Sequence, residues 1–124
     1  MDQLTRYRGA VTAALTDWLD YLRRGHRGTA QEVDAVLDTE RDNYLLTITG
    51  WDGGQRVRED VFYLRIRDGK IWVEEDNTDR PIADQLLRLG VPMEDIVLGF
   101  HPPDVRHRTG YGVRGPFAPA PAAG

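Results

Sequence analysis

The feature that most constrains the fold is a change of hydrophobic period between residues 25 and 31. Before it, apolar residues recur every three or four positions, as on one face of an α-helix; they are Leu4, Tyr7, Val11, Leu15, Trp18 and Leu22. After it, apolar and polar residues alternate, as they do along β-strands. Gly25 and Gly28 separate the two patterns. The sequence predicts a helix from Asp2 to Arg23, packed by its apolar face on a sheet.

Four strands are predicted after the helix, joined by short polar turns. They are Val33–Leu37, Tyr44–Trp51, Arg56–Arg67 and Lys70–Glu74. The second strand is apolar enough to be central in the sheet. In the first strand, Val36 lies on the face opposite to Val33, Ala35 and Leu37. A break in the alternation at Arg58–Asp60 indicates a bulge, and Asp68-Gly69 is a strong hairpin signal. Consecutive strands with short connections predict an antiparallel β-meander, and hence an α+β fold.

One or two short helices are predicted after the meander. Thr78 or Asp79 can cap the first, with Pro81 in its first turn and Gly90 after its end. Its buried face is expected to contain Ile82, Leu86 and Leu89.

The remaining C-terminal part is predicted to be a short turn, an extended segment and a tail. Pro92–Asp95 reads as the turn, and Ile96–Phe100 as a fifth strand or a segment packed against the core. Glycine, proline and alanine dominate the last residues. We therefore expect one domain over residues 1–115 and a disordered tail over residues 116–124.

The composition limits the cellular compartment and the kinds of partner that we expect for this chain. The 124 residues include no cysteine, which excludes disulfides and thiolate zinc sites and agrees with a cytoplasmic protein. No apolar run approaches the roughly 20 residues of a membrane helix. The formal net charge of −4 disfavours non-specific binding to nucleic acid. We therefore expect no membrane contact and only weak or indirect contact with DNA.

No catalytic, metal or cofactor site is predicted. The acids at positions 38, 40 and 42 resemble a calcium loop, but Asn43 and Thr49 stand where that loop needs Gly and Glu. Asp60, Asp68 and Lys70 resemble a nuclease set, but Asp68 belongs to the predicted hairpin turn. The chain has no serine that could act as a nucleophile, and its three histidines are not spaced as metal ligands. These absences predict a protein without intrinsic catalysis.

Two sets of residues are candidates for binding a partner. Phe100, His101, Pro102 and Pro103 combine apolar area, a directional polar group and a stiffened backbone. Trp51 and Trp72 lie on neighbouring strands, where such residues are usually core or cross-strand pairs. Either tryptophan would be a natural anchor for a partner if it faced outward.

Several strings together resemble the XisI family of fdxN-element excision controlling factors. The resemblance runs from Leu4 to about Val113 and is carried, in order, by the opening helix with Tyr7, Asp38-Thr39-Glu40-Arg41-Asp42-Asn43-Tyr44, Gly50-Trp51, Asp68-Gly69-Lys70-Ile71-Trp72 and Gly90 through Pro103. The arginine- and alanine-rich composition and the tail after Gly115 depart from the family.

The resemblance implies an accessory factor in the excision of a DNA element, or in a related DNA-processing system. It implies an XisH-like partner with a nuclease fold, in a heteromer, and assigns no catalytic residues. A second copy of the chain is the other partner considered. Two roles stay open: a non-enzymatic subunit that binds this partner, and a factor that contacts DNA through an arginine patch. The C-terminal cluster Arg106, His107, Arg108 and Arg114 is either a solubilising flank or a phosphate contact.

Overall fold

The computed structural model describes residues 1–108 and 110–112. The elements in chain order are α1 (Gln3–Gly25), β1 (Gln31–Asp38), β2 (Asn43–Asp52), β3 (Gln55–Arg67), β4 (Lys70–Asp76), α2 (Ile82–Arg88) and β5 (Ile96–Leu98). Single 3₁₀ turns lie at Met93–Asp95 and Pro103–Arg108. The predicted domain end at residue 115 and the predicted tail over residues 116–124 lie outside the described residues. None of the described helices is long and apolar enough to cross a membrane.

The five strands form one mixed sheet in the order β1-β2-β3-β4-β5. The first four pair antiparallel, as the meander prediction requires. β5 pairs parallel with β4, because the chain crosses over through α2 between these two strands. The predicted α+β fold is confirmed, with a parallel strand added at one edge.

Helix α1 packs across the sheet through one face. Asp2 caps it by accepting a hydrogen bond from the Thr5 backbone N–H at 2.7 Å. The buried face consists of Tyr7, Ala10, Val11, Ala14 and Leu15. Leu4 is 40% exposed, so its predicted place on the buried face is wrong and that face begins at Tyr7.

A β-bulge interrupts the pairing of β2 with β3. Leu46 pairs with Phe62 and Thr47 with Asp60, which leaves Val61 as the extra residue. Val61 and Phe62 are 4% and 0% exposed, so two consecutive apolar residues enter the core. The predicted bulge therefore exists, at the residue directly after the predicted stretch. Its cause is this double burial, which strict alternation cannot provide.

Helix α2 is capped differently from the prediction. Pro81 occupies the N-cap position, and the Asp76 carboxylate at the end of β4 accepts the Ile82 N–H at 2.8 Å. The Thr78 hydroxyl instead lies 2.6 Å from Asp76 Oδ1 and 2.8 Å from the Arg80 carbonyl oxygen, and its single proton is donated to one of these acceptors at a time. The prediction of Thr78 or Asp79 as the cap is wrong, because an acid further upstream reaches the helix end.

The C-terminal end of α2 is a Schellman motif. Gly90 has φ +95°, as predicted for a residue in the left-handed region. Its N–H donates to Leu87 O, and the Val91 N–H donates to Leu86 O, both at 3.0 Å. Val91 is buried and Leu89 is 46% exposed. The predicted burial of Leu89 is wrong, because the motif turns the next apolar residue inward instead.

Candidate partner-binding site

The Gly90–Pro103 string divides into a structural part and an exposed part. Asp95, in its 3₁₀ turn, accepts hydrogen bonds from the Tyr7 hydroxyl and from Gln3 Nε2, the latter at 3.2 Å. Lys70 Nζ lies 3.7 Å from the same carboxylate. The turn thus ties the start of α1 to the hairpin between β3 and β4, which is a structural role.

The contact between Tyr7 and Asp95 changes the acidity of the tyrosine. Burial, reinforced by the hydrogen bond to Asp95, raises the pKa of Tyr7 to about 12. The hydroxyl therefore stays protonated and acts as a donor across the physiological pH range. It holds the turn in place and has no observed role in chemistry.

The middle of the string is held in the core. Ile96 and Val97 of β5 are fully buried. The Gly99 N–H donates to Val73 O at 2.8 Å. A Cβ at Gly99 would lie 2.1 Å from Glu74 Oε1, so a larger residue there would displace the glutamate. The backbone entering the exposed part is therefore anchored closely against β4.

The exposed part consists of Phe100, His101, Pro102 and Pro103, called the Phe100–Pro103 turn below. Phe100 is 50% exposed, His101 is half-buried, and both prolines are exposed. The two rings lie with centroids 4.7 Å apart. Among the described residues, the His101 ring finds no hydrogen-bond partner. The side chains of this turn thus contribute little to the core.

The backbone of the same turn is fixed on both sides. The His101 N–H donates to Leu98 O at 3.1 Å. The His101 carbonyl accepts from Arg106 Nε at 3.0 Å. Arg106 is only 6% exposed, although arginine is usually a surface residue. This clamp could not be predicted from the sequence, where Arg106 belongs to a basic cluster before the C-terminal tail.

The two strand tryptophans lie on β2 and β4, which β3 separates, so their predicted place on neighbouring strands is wrong. They also have opposite environments. Trp51 is 51% exposed near the end of the β2–β3 hairpin, with the Arg56 guanidinium 5.5 Å from its ring. Trp72 is 4% exposed, and the Arg106 guanidinium lies 5.2 Å above its ring. Trp51 can therefore contact a partner. The proposed role of Trp72 as a surface anchor does not agree with this arrangement, because Arg106 covers its ring.

The Asp38–Tyr44 string closes the β1–β2 hairpin and holds α1. Asp38 Oδ1 accepts the N–H groups of Glu40 and Arg41 at 3.0 and 3.1 Å, so Asp38 caps the turn. Asp42 has φ +56° and turns its carboxylate towards α1.

Asp42 is the acceptor of a partly buried polar cluster. Arg8 of α1 donates to its two oxygens at 2.8 and 3.0 Å, and the Tyr44 hydroxyl donates at 2.8 Å. The Arg8 hydrogen bonds lower the pKa of the Asp42 carboxyl, and burial raises the pKa of Tyr44. The acid that resembled a calcium ligand is therefore used as an arginine partner.

The three residues that resembled a nuclease set, Asp60, Asp68 and Lys70, do not come together in the structure either. Asp60 pairs with Arg58 at 3.5 Å, and Asp68 is exposed at the hairpin turn with φ +55°. Lys70 contacts Asp95 rather than either of them. Within residues 1–108 and 110–112, no group of three or more histidine and acidic side chains could hold a metal ion.

Most described arginines are engaged inside the chain rather than arranged as a stripe. Those that pair with acids are Arg8, Arg23, Arg41, Arg58 and Arg65. Those that donate to carbonyls or stack on aromatic rings are Arg56, Arg67, Arg80 and Arg106. The side chains of His107 and Arg108, and all of Arg114, lie outside what the structure describes.

Comparison with known proteins places this architecture in a family. The model of the XisI protein family matches residues 1–113. A XisI-like protein from Anabaena variabilis ATCC 29413 is 40% identical, with a TM-score of 0.83 over 90% of this chain and 99% of that one. The fdxN element excision controlling factor XisI from the same organism is 37% identical, with a TM-score of 0.77 over 91% and 100%. No curated protein matches the chain. The chain belongs to the XisI family.

Proposed function

We propose that this chain is a non-enzymatic accessory subunit that binds an XisH-like protein with a nuclease fold. The complex would act in the excision of a DNA element or in a related DNA-processing system in the cytoplasm. Support for the controlling role comes from the XisI relative, which is a controlling factor of fdxN element excision. The partner and the DNA-processing role are extensions from the family resemblance.

The observation that carries the proposal is the Phe100–Pro103 turn. Its backbone is anchored by Leu98 on one side and Arg106 on the other, while its apolar side chains face solvent. A rigid exposed aromatic loses little entropy when a partner docks. Such residues are typical anchors of protein interfaces. Trp51 would be a second anchor from the hairpin end.

The charges support indirect rather than direct contact with DNA. The chain carries 20 acids against 16 bases, and most described arginines already have acid, carbonyl or aromatic partners. Each phosphate contact would have to displace such a partner or use one of the few other basic side chains. We therefore expect the XisH-like subunit to make the main DNA contacts.

The test is co-purification with the XisH-like protein, followed by calorimetric titration. Phe100→Ala should weaken binding about tenfold or more, a loss typical of an interface anchor. Tyr21→Ala is the matched control, because Tyr21 is 51% exposed against 50% for Phe100. His101→Ala and a Pro102→Ala, Pro103→Ala double variant complete the series.

Two results would overturn the proposal. If all these variants stay folded and bind with wild-type affinity, the interface lies elsewhere. If the purified chain cleaves DNA in a metal-dependent way and Asp60→Ala abolishes this, the chain is an enzyme.

A further inference from the structure

Strand β1 is one edge of the sheet and lies opposite the edge formed by β5. Among the described residues it pairs only with β2, in an uninterrupted register from Gln31 to Asp38. Edge strands in natural proteins are commonly protected by charged side chains, especially lysine, by proline, by a bulge or by a covering segment. β1 has no lysine, proline or bulge, and its charged side chains are all acidic.

Two hydrogen bonds establish which backbone groups of β1 point outward. The Trp51 N–H donates to Ala30 O at 3.0 Å, so residues 30 and 51 form a hydrogen-bonded pair. Because such pairs alternate along antiparallel strands, Val33, Ala35 and Leu37 direct their N–H and C=O groups away from β2. Arg23 Nε donates to Val33 O at 2.9 Å from that outer side, which agrees with this phase.

Only the first half of this edge is blocked. The Gln31 N–H is accepted by the Thr29 hydroxyl at 3.3 Å, and Arg23 covers the Val33 carbonyl. Within the described part of the chain, no group accepts from or donates to the outward backbone of Ala35 and Leu37. Among the described residues, the second half, from Ala35 to Leu37, is therefore an open hydrogen-bonding edge.

The side chains around the open half are apolar and acidic. Val36 and Leu37 are 50% and 39% exposed, one on each face of the sheet. Glu32, Asp34 and Asp38 share the face of Val36, since they lie at alternate positions. On that face an added strand would meet the carboxylates of Glu32, Asp34 and Asp38 and the apolar side chain of Val36. Asp34 also lies 3.4 Å from Arg23, and Asp38 caps the hairpin turn.

The acidic side chains of β1 make a second copy of the chain unfavourable as the strand that pairs with this edge. If two β1 strands paired antiparallel with Ala35 facing its copy, Glu32 would face Asp38. With Val36 facing its copy, Asp34 would face Asp38, and with Asp34 at the centre the acid would face itself. Like charges directly opposite each other are destabilising. A basic strand would instead form complementary pairs in each of these registers.

We propose that β1 from Ala35 to Leu37 is a strand-addition site for an extended basic segment of a partner protein. The segment would carry lysine or arginine opposite Glu32, Asp34 and Asp38, and an apolar residue opposite Val36. Its backbone would pair with Ala35 and Leu37. This surface is separate from the Phe100–Pro103 turn, which follows β5 at the opposite edge.

The probe is a blocked octapeptide of alternating lysine and valine, and its glutamate–valine counterpart is the charge control. Nuclear magnetic resonance of the full chain should show the Ala35 and Leu37 amides shifting and gaining exchange protection at millimolar basic peptide. The Val36 amide, already paired with β2, should gain little protection. The acidic peptide should cause no change.

Ala35→Pro tests the edge directly, because it removes an outward N–H and leaves the β1–β2 ladder intact. It should weaken peptide binding about tenfold. Glu32→Gln should weaken it severalfold, whereas Glu59→Gln on β3 is the control and should not. Phe100→Ala should leave peptide binding unchanged, so this proposal and the proposed function can fail separately.

Several outcomes would overturn the inference. These are unshifted Ala35 and Leu37 amides, equal binding of the acidic peptide, or unchanged binding by both Ala35→Pro and Glu32→Gln. If Ala35→Pro does not fold, the amide mapping and the comparison of Glu32→Gln with Glu59→Gln decide. If the free chain self-associates in sedimentation with its Ala35 and Leu37 amides protected, the occupant is a second copy and the proposal is wrong.

Discussion

The Tyr7 hydroxyl of α1 donates a hydrogen bond to Asp95, a residue 88 positions later in the chain. On the other side of the helix start, Arg8 of α1 binds Asp42 of the β1–β2 hairpin. Two of the strings that carry the family resemblance, Asp38–Tyr44 and Gly90–Pro103, therefore each supply one acid that holds α1 on the sheet. This docking gives Asp42 and Asp95 a structural role.

Replacing Tyr7 with phenylalanine should destabilise the fold by about 1–2 kcal/mol, because Asp95 loses a partly buried donor. Urea unfolding followed by circular dichroism measures this free energy of unfolding. Tyr21→Phe is the control: its ring is half-exposed, and we expect a change within about 0.5 kcal/mol. Equal effects of the two substitutions would contradict the assigned role of the Tyr7 hydroxyl.

The same residue gives a prediction at alkaline pH. The folded-state pKa of Tyr7 is about 12, against 10.0 for an unperturbed tyrosine. The folded chain therefore holds this proton more tightly, and the resulting stability is present below pH 10.0 and lost as pH rises towards about 12. Tyr7→Phe should show a shallower loss of stability over this window. An identical slope would show that Tyr7 does not carry the linkage.

Two glycine-to-alanine substitutions should change the free energy of unfolding in opposite directions. Gly50 has φ +145°, and a Cβ there would lie 2.1 Å from the Ala30 carbonyl oxygen. Gly50→Ala should therefore destabilise the chain by about 3 kcal/mol or more. Gly9 lies in α1 with no atom within 4 Å of its Cβ position, so Gly9→Ala should stabilise by about 0.5–1 kcal/mol. Thermal melting of both variants checks the pair.

The parts of the fold that could be predicted are those decided by burial or by local turn chemistry. The period of α1 and the alternation in β2 follow from which side chains enter the core. Asp68-Gly69 and Gly90 adopt left-handed backbone, as their residue types favour. Such signals lie within a few residues of the structure they specify.

The parts that could not be predicted depend on contacts between distant positions. Asp76 caps α2 from the end of a strand, so no signal adjacent to the helix identifies it. The parallel pairing of β5 involves three residues and depends on the α2 crossover. Arg106 covers Trp72 although in sequence it belongs to a basic cluster with His107 and Arg108. At the candidate site, the sequence indicated the exposed Phe100–Pro103 turn but not the clamp behind it.

Arg8→Ala should lower the free energy of unfolding, because it removes a two-point hydrogen-bonded contact with the Asp42 carboxylate. Arg6→Ala, an exposed residue of the same helix, is the control and should change stability by less than about 0.5 kcal/mol. Chemical denaturation at neutral pH measures both. A loss in Arg6→Ala as large as that in Arg8→Ala would point to general helix charge rather than to the Asp42 contact.

Asp42 should also contribute to acid sensitivity. Arg8 lowers the folded-state pKa of Asp42 below its ordinary 3.8. The stability from this pair is thus present above pH 3.8 and lost as pH falls through the lower folded pKa. Asp42→Asn should be less stable than wild type at neutral pH and should lose less stability on acidification. Parallel acid curves for the two proteins would exclude the linkage.

Arg106→Ala should uncover Trp72, because the Arg106 guanidinium lies 5.2 Å above its ring. With Arg106 in place, Trp72 is only 4% exposed. The measurement is acrylamide quenching of tryptophan fluorescence in a Trp18→Phe, Trp51→Phe background, where Trp72 is the single reporter. We expect stronger quenching and emission at longer wavelength. Arg88→Ala, on α2, is the control and should change neither.

The same Arg106 holds the His101 carbonyl, so its loss should also loosen the Phe100–Pro103 turn and weaken binding of the XisH-like partner. Unchanged quenching with the chain still folded would mean that other groups cover Trp72. Unchanged partner affinity would mean that the turn needs no clamp.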